Sequence, residues 1–203
     1  MRLFARWFYP LHVTVEHGEG ETPADVLHGL RFRERVHEED MDHRDFVNRL
    51  EPVYELWRRS GYWEMAHPWM EAILPWEVGP GFIERVLAEL PPNALGPGGH
   101  VLLWPCRTAV SRVPLFMHPG GERVMGWGVL PGVPAAYLDE ALSRMGALGE
   151  LAVACGAKRY LSGYLPSGDP EKWAAHYGER WPAMRAAKRR FDPDGVLESI
   201  LPL

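Results

Sequence analysis

Residues 66–75 read Ala66-His67-Pro68-Trp69-Met70-Glu71-Ala72-Ile73-Leu74-Pro75, an apolar run bracketed by two prolines. Proline has no N–H to give to a strand ladder and sits at strand ends or edges, so the bracket marks out a strand. Side chains alternate across a strand. Trp69, Glu71 and Ile73 therefore share one face, and Met70, Ala72 and Leu74 the other. With Trp63 and His67 just upstream, two indoles, an imidazole and a carboxylate fall on one strand and its approach. Such a set can wall a pocket for a flat or apolar ligand, with Glu71 as its polar anchor. The competing reading is a solvent-facing Glu beside core Trp.

Working outward, residues 3–17 open as an extended run, and the β-branched alternation of Leu11 to Glu16 is strand chemistry. Thr22-Pro23 reads as an N-cap and first helical residue for a short helix to about Leu30, with a second strand over Arg31 to Val36. From Asp42 the spacing of Phe46, Val47, Leu50, Val53, Tyr54 and Trp57 predicts one longer helix, stopped by Gly61. Downstream come a helix over Gly81 to Leu90, a Pro/Gly-rich loop, and a strand over His100 to Arg107. Pro114 to His118 and Arg123 to Leu130 flank a Pro-Gly-Gly turn and read as a hairpin. The longest helix spans Ala135 to Cys155, with Tyr137, Leu138, Leu142, Met145, Leu148 and Leu151 on its apolar stripe. A last strand covers Lys158 to Leu161. Beyond Asp169-Pro170 lies a helical region whose stripe is Trp173, Tyr177, Trp181, Met184 and Phe191, divided by Gly178 and Pro182. Mixed strands and helices without βαβ alternation predict an α+β fold, a mainly antiparallel sheet with helices packed on one face.

Composition narrows the function classes. The chain has 203 residues, 46% of them hydrophobic, enough for a real core. Its net charge is −5 and its basic residues cluster only at Lys188-Arg189-Arg190, which argues against a nucleic-acid partner. Two cysteines, Cys106 and Cys155, give neither a disulfide framework nor metal spacing. No stretch approaches the ~18 apolar residues of a membrane span, and the N-terminus lacks signal-peptide features. The expected location is the cytoplasm. Nine tryptophans point to an aromatic pocket or a broad interface beyond ordinary core filling.

No single motif carries chemistry. Gly18-x-Gly20 lacks the third glycine and the helix of a phosphate loop, and no G-x-S-x-G elbow is present. His12 and Glu16 share a strand face but no third ligand is visible. The run His37-Glu38-Glu39-Asp40-x-Asp42-His43 reads as a charged approach to a helix N-terminus, where acidic groups are favoured. No metal site is expected.

Several collinear stretches, among them Gly61 through Met70, Gly99 through Pro105 and the C-terminal run from Trp173 to Leu197, together resemble cytokinin dehydrogenases and related bacterial FAD-linked oxidases. The others are Asp45-Phe46-Val47-Asn48-Arg49, Leu74-Pro75, Met125 through Leu130, and Ala154 through Leu161. The most specific is C-terminal: Trp173, His176-Tyr177-Gly178, Trp181, Met184, Lys188, Arg190-Phe191-Asp192-Pro193 and Leu197. The resemblance covers nearly the whole chain and is weakest before Asp42.

The resemblance implies an FAD-binding domain, here without matching residues, and an inserted substrate-side cap followed by a return segment. Residues 1–161 would be the cap, and 162–203 the helical return segment packing on a partner FAD domain or on the cap. The family moves hydride from a carbon beside a secondary amine to the flavin, giving an imine that water hydrolyses. The proton-accepting acid lies in the FAD domain. By resemblance, Trp69 would be a pocket wall and Glu71 replaces an Asn of plant members, while Tyr160 and Leu161 approach the substrate. A carboxylate there prefers a donor or a cation, which departs from adenine-type specificity. The family's closing Pro-Gly-Gln is replaced by Leu197 to Leu203.

The expectation is the substrate-binding portion of a flavin-dependent oxidoreductase acting on an amine or related small molecule. FAD would be held mainly by a separate FAD-binding subunit or a missing segment. This expects an apolar surface exposed along the Trp173–Trp181 helix and on one sheet face for docking. The alternative is a stand-alone, flavin-free small-molecule-binding protein, as a homodimer. A third reading gives Glu71 and a nearby histidine acid and base roles without flavin.

Overall fold

The computed structural model describes residues 8–22, 25–165, 168–199 and 201–203. They form two compact units, Met1–Leu56 and Trp57–Leu203.

In the first unit, Asp42 caps helix α1 (His43–Asn48), its carboxylate accepting from the Asp45 N–H at 2.9 Å. Helix α2 (Glu51–Arg59) follows, and the boundary between units falls within it. The single long helix expected from Asp42 is therefore two. Pro52 explains the break: it has no N–H for the Asn48 carbonyl and its ring crowds that turn, whereas the start of a new helix accepts it. The strands expected over Leu11 to Glu16 and Arg31 to Val36 are not formed, and Val26 to Gly29 makes turns rather than a helix. Part of that expected helix, Pro23 and Ala24, lies outside the described residues, as do the first residues of the opening run. Alternation supplies a strand's face but not its partner, and no described strand pairs with these segments.

The second unit holds the sheet. Strand β1 (Met70–Pro75) leads to helix α3 (Gly79–Glu89), then strands β2 (His100–Arg107) and β3 (Arg123–Leu130). Helix α4 (Leu138–Ala154), the short strand β4 (Lys158–Arg159) and helices α5 (Pro170–Tyr177) and α6 (Trp181–Phe191) complete it. The sheet order is β2-β3-β1-β4, with every pairing antiparallel. The fold is α+β, as the element order predicts. The hairpin joins β2 to β3 over a long connection. Pro114 to His118 forms no strand, because prolines at 114 and 119 deny it ladder donors.

Register assigns the faces. Met70, Ala72 and Leu74 pair with Val129, Trp127 and Met125, so these six share one face. Helix α3 covers it: the Phe82 ring meets Trp127 edge-on at 4.8 Å. Helix α4 covers the β4 side of the same face. Its buried residues are Ala141, Met145, Gly149 and Ala152, while the expected Leu142, Leu148 and Leu151 are only half-buried and Tyr137 is exposed. Small residues win this stripe because the helix lies close on the sheet. A Cβ on Gly149 would sit 2.6 Å from the Arg159 guanidinium.

The C-terminal helices make their own cluster. Trp173, Tyr177 and Trp181 are buried together against Met117, Leu165 and Met184, with Tyr177 and Trp181 stacked at 5.9 Å. The expected exposure of the Trp173–Trp181 stripe is therefore corrected: the chain covers it itself, and Phe191 alone of that stripe is strongly exposed. After α6, Asp192 closes the chain into a turn. Its carboxylate accepts from the Val196 and Leu197 N–H groups at 2.7 and 3.1 Å, and Lys188 donates to both Asp192 and the Leu197 carbonyl. The Lys188 ammonium, aided by those N–H groups, holds the Asp192 carboxyl below its ordinary range. The Lys188…Phe191-Asp192-Pro193…Leu197 pattern is thus a self-contained lock.

Candidate functional site

The second face of the sheet carries Glu71 and Ile73 on β1 opposite Gly128 and Gly126 on β3, with Leu102 and Trp104 beyond them on β2. The two glycines shape it. The Trp104 indole lies across Gly126, where a Cβ would come within 2.0 Å of the ring, and the Glu71 stem lies across Gly128, where a Cβ would meet Cγ at 2.8 Å. A side chain at either position would lift the residue above it off the sheet.

On the β4 side, the Tyr160 N–H donates to the Glu71 carbonyl at 3.1 Å, and the Tyr164 N–H to the Trp69 carbonyl at 2.8 Å. Residues 161–163 therefore bulge between two pairings, as a β-bulge does to re-aim side chains. Gly163, at φ +72, permits the bulge: a Cβ there would sit 2.6 Å from the Trp69 carbonyl oxygen. Tyr160 and Leu161 emerge partly exposed. The Tyr160 ring meets Trp104 and Phe116 edge-on at 6.0 and 5.9 Å.

Of the residues picked from sequence, Glu71 and Tyr160 come together here, and Leu161 follows Tyr160 at the start of the bulge. Trp69 lies one residue before β1, its ring edge-on to His67 at 6.0 Å and its indole N–H buried without a hydrogen-bond partner among the described residues. Trp104, Phe116, Gly126 and Gly128 are the wall residues that sequence reasoning missed. The Gly-Trp-Gly repeat of 126–128 was the legible signal, since alternating glycines in a strand mark close approach by another group.

Glu71 is the electrostatic centre. It is only 9% exposed, and among the described residues its carboxylate has no hydrogen bond or ion pair, to a histidine or to any other group. Burial pushes its carboxyl above the ordinary carboxylate range. A carboxyl drawn largely out of water costs stability, and a ligand N–H or ammonium would relieve that cost. The arrangement can bind a flat ring against Trp104 and Tyr160 and hold a donor at Glu71.

Among the described residues no group of three or more His, Cys, Asp or Glu is placed to hold a metal, and no helix is long and apolar enough to cross a membrane. Cys106 and Cys155 are free thiols.

The model of the family described as "Cytokinin dehydrogenase 1, FAD and cytokinin binding" matches residues 15–199. An uncharacterized oxidoreductase of the fasciation locus of Rhodococcoides fascians is 32% identical over 162 residues, covering 78% of this chain and 36% of that protein. Cytokinin dehydrogenases 3 and 1 of Oryza sativa subsp. japonica are 29% and 25% identical, over 78% and 93% of this chain but only 31% and 37% of theirs. The chain spans about a third of the length of these relatives. With nearly its whole length matched, the chain belongs to the cytokinin dehydrogenase family, in its FAD- and cytokinin-binding region.

Proposed function

We propose that this chain forms the substrate-side wall of a flavin-dependent oxidoreductase that acts on an amine or a related small molecule. The observation that carries this reading is the Glu71 carboxyl, unpartnered among the described residues, on the second sheet face with Trp104 and Tyr160.

The residues present fit one part of FAD and not another. A partly exposed aromatic wall suits one side of a flat ring system. G-x-G-x-x-G occurs nowhere in the sequence, so the phosphates would be held by an FAD-binding domain from another chain or from sequence outside these 203 residues. In this reading residues 1–161 serve as the cap, and 162–203 as the return segment that meets that domain.

A bound flavin supplies the hydride acceptor. This chain's residues bind and orient. The Glu71 carboxylate accepts from the substrate's N–H or ammonium, Trp104 and Tyr160 hold the ring edge-on, and Leu161 keeps water from the reacting carbon. A carboxylate at position 71 favours a cationic or strongly donating amine over a group that must also be given a hydrogen bond.

The test is reconstitution with FAD and an FAD-binding domain of the same family. A yellow complex that oxidises amines, with KM raised and kcat little changed in Glu71→Gln, supports the reading. A colourless mixture without association overturns it. A tight flavin-free dimer by light scattering would favour a stand-alone binding protein.

A further inference from the structure

Behind the β4 edge, α4, β4 and α5 border a partly open cavity of about 150 Å³. None of the wall residues lines it. Its apolar side is Val153, Ala157 and Trp173, and its polar side gathers cations. Lys172 and Arg159 both reach the Glu150 carboxylate, at 2.9 and 2.7 Å, and Lys172 above all holds its carboxyl below the ordinary range. Lys158 donates to the Ala175 and His176 carbonyls at 3.0 Å each. Three cations thus face one carboxylate. Arg159 and Lys172 have N–H groups left over once Glu150 is satisfied.

The His176 imidazole also lines this cavity, only 8% exposed, and neither ring nitrogen makes a hydrogen bond among the described residues. Burial first, and then the Lys158 and Arg159 charges, bring its pKa down to about 4, so it is neutral at physiological pH. A neutral imidazole carries one donor and one acceptor, neither taken by another described residue.

We propose that this cavity is a second ligand site, for a small monocarboxylate with an apolar body of about benzene size. The carboxylate would take the free N–H groups of Lys172 and Arg159 and the His176 N–H, and the body would lie against Val153, Ala157 and Trp173. The volume suits such a body, since roughly 150 Å³ is room for a benzene-sized ring, and the half-exposed Lys172 and Glu150 leave one side open for it to enter. The charge suits the head group, because the surplus positive potential that disfavours imidazolium favours an anion. Binding is reciprocal, so a bound anion raises the His176 pKa. The charged groups facing the ring are Lys158 and Arg159 from β4, Glu150 from α4 and Lys172 from α5.

The experiment titrates benzoate into the full chain, with benzyl alcohol as the neutral control, following histidine ring NMR signals and tryptophan fluorescence. Loss of one signal in His176→Gln assigns it. Expected are saturable benzoate binding, a His176 midpoint that rises from about 4, and affinity lowered roughly tenfold or more in Lys172→Ala. Lys172 is half-exposed, so its loss leaves the fold intact. Val153→Trp, which fills the cavity from a partly exposed position without touching a charge, should also abolish binding. The proposal is overturned by an unsaturable response, by equal affinity for benzyl alcohol, or by benzoate affinity unchanged in both variants.

Discussion

The segment up to Leu56 and the unit from Trp57 onward are built differently from similar ingredients. The first has apolar residues at Phe8, Leu11, Leu30, Phe32, Val36 and Val47, yet every one is exposed and no described residue before Tyr62 is buried. Polar contacts recur within it, among them the Asp42 cap, the Arg35–Glu38 pair, and His17 to Asp40 at 3.6 Å. The second unit buries Trp127, Val129, Leu74 and Ile73 almost completely across paired strands. Apolar residues stabilise a fold only where non-local pairing gives them a surface to leave water against.

The sharpest way to break this contrast is to cut apolar residues on both sides. Trp127→Ala should cost about 3–5 kcal/mol in urea unfolding, because it empties the space between Ala72 and Phe82. A comparable loss from Phe32→Ala would abolish the distinction.

Acid should act on the second unit next. The His176 pKa of about 4 lies below the ordinary 6.5, so between these values the unfolded chain takes a proton that the folded one refuses. The contribution is whole above about pH 6.5 and is lost as pH falls toward 4, a loss of roughly 3 kcal/mol. Urea midpoints across that window should fall less steeply for His176→Gln than for the parent chain.

Glu71 runs the other way. Its carboxyl is pushed up, so the folded state holds its proton longer, and the stability that protonation gives is lost as pH rises through the folded value. Glu71→Gln should raise Tm in neutral and mildly basic buffer, with no gain in acid where both states are protonated. A lowered Tm at neutral pH would show that the carboxylate is satisfied in the native state.

The smallest effect belongs to the first unit. Val36→Ser, at 88% exposure, should shift stability by no more than about 0.5 kcal/mol. A larger loss in thermal unfolding would mean that this segment contributes a core of its own.

The same contrast separates what the residues told from what the tertiary structure decided. Period and punctuation sufficed where an element's own sequence contains the whole cause. The Pro-bracketed strand at 70–75, the Asp169 cap and Pro170 start of α5, and the Gly-ended α4 are of this kind. So are the family motifs, because the Lys188–Asp192–Leu197 lock closes within a few residues. The sequence by itself thus determined the α+β class, most elements of the second unit, the family, and Glu71 with Tyr160 as residues to watch.

Only the tertiary structure decided which strand candidates find partners, and those at Leu11 to Glu16 and Arg31 to Val36 do not. It buried the Trp173–Trp181 stripe, set Trp104 over Gly126 and Glu71 over Gly128, and gathered Lys158, Arg159, Lys172 and His176 around one cavity. The physical reason is range. Helix caps, prolines and alternation act over a few residues, whereas register, burial and the potential at a buried imidazole depend on groups brought together from distant parts of the chain.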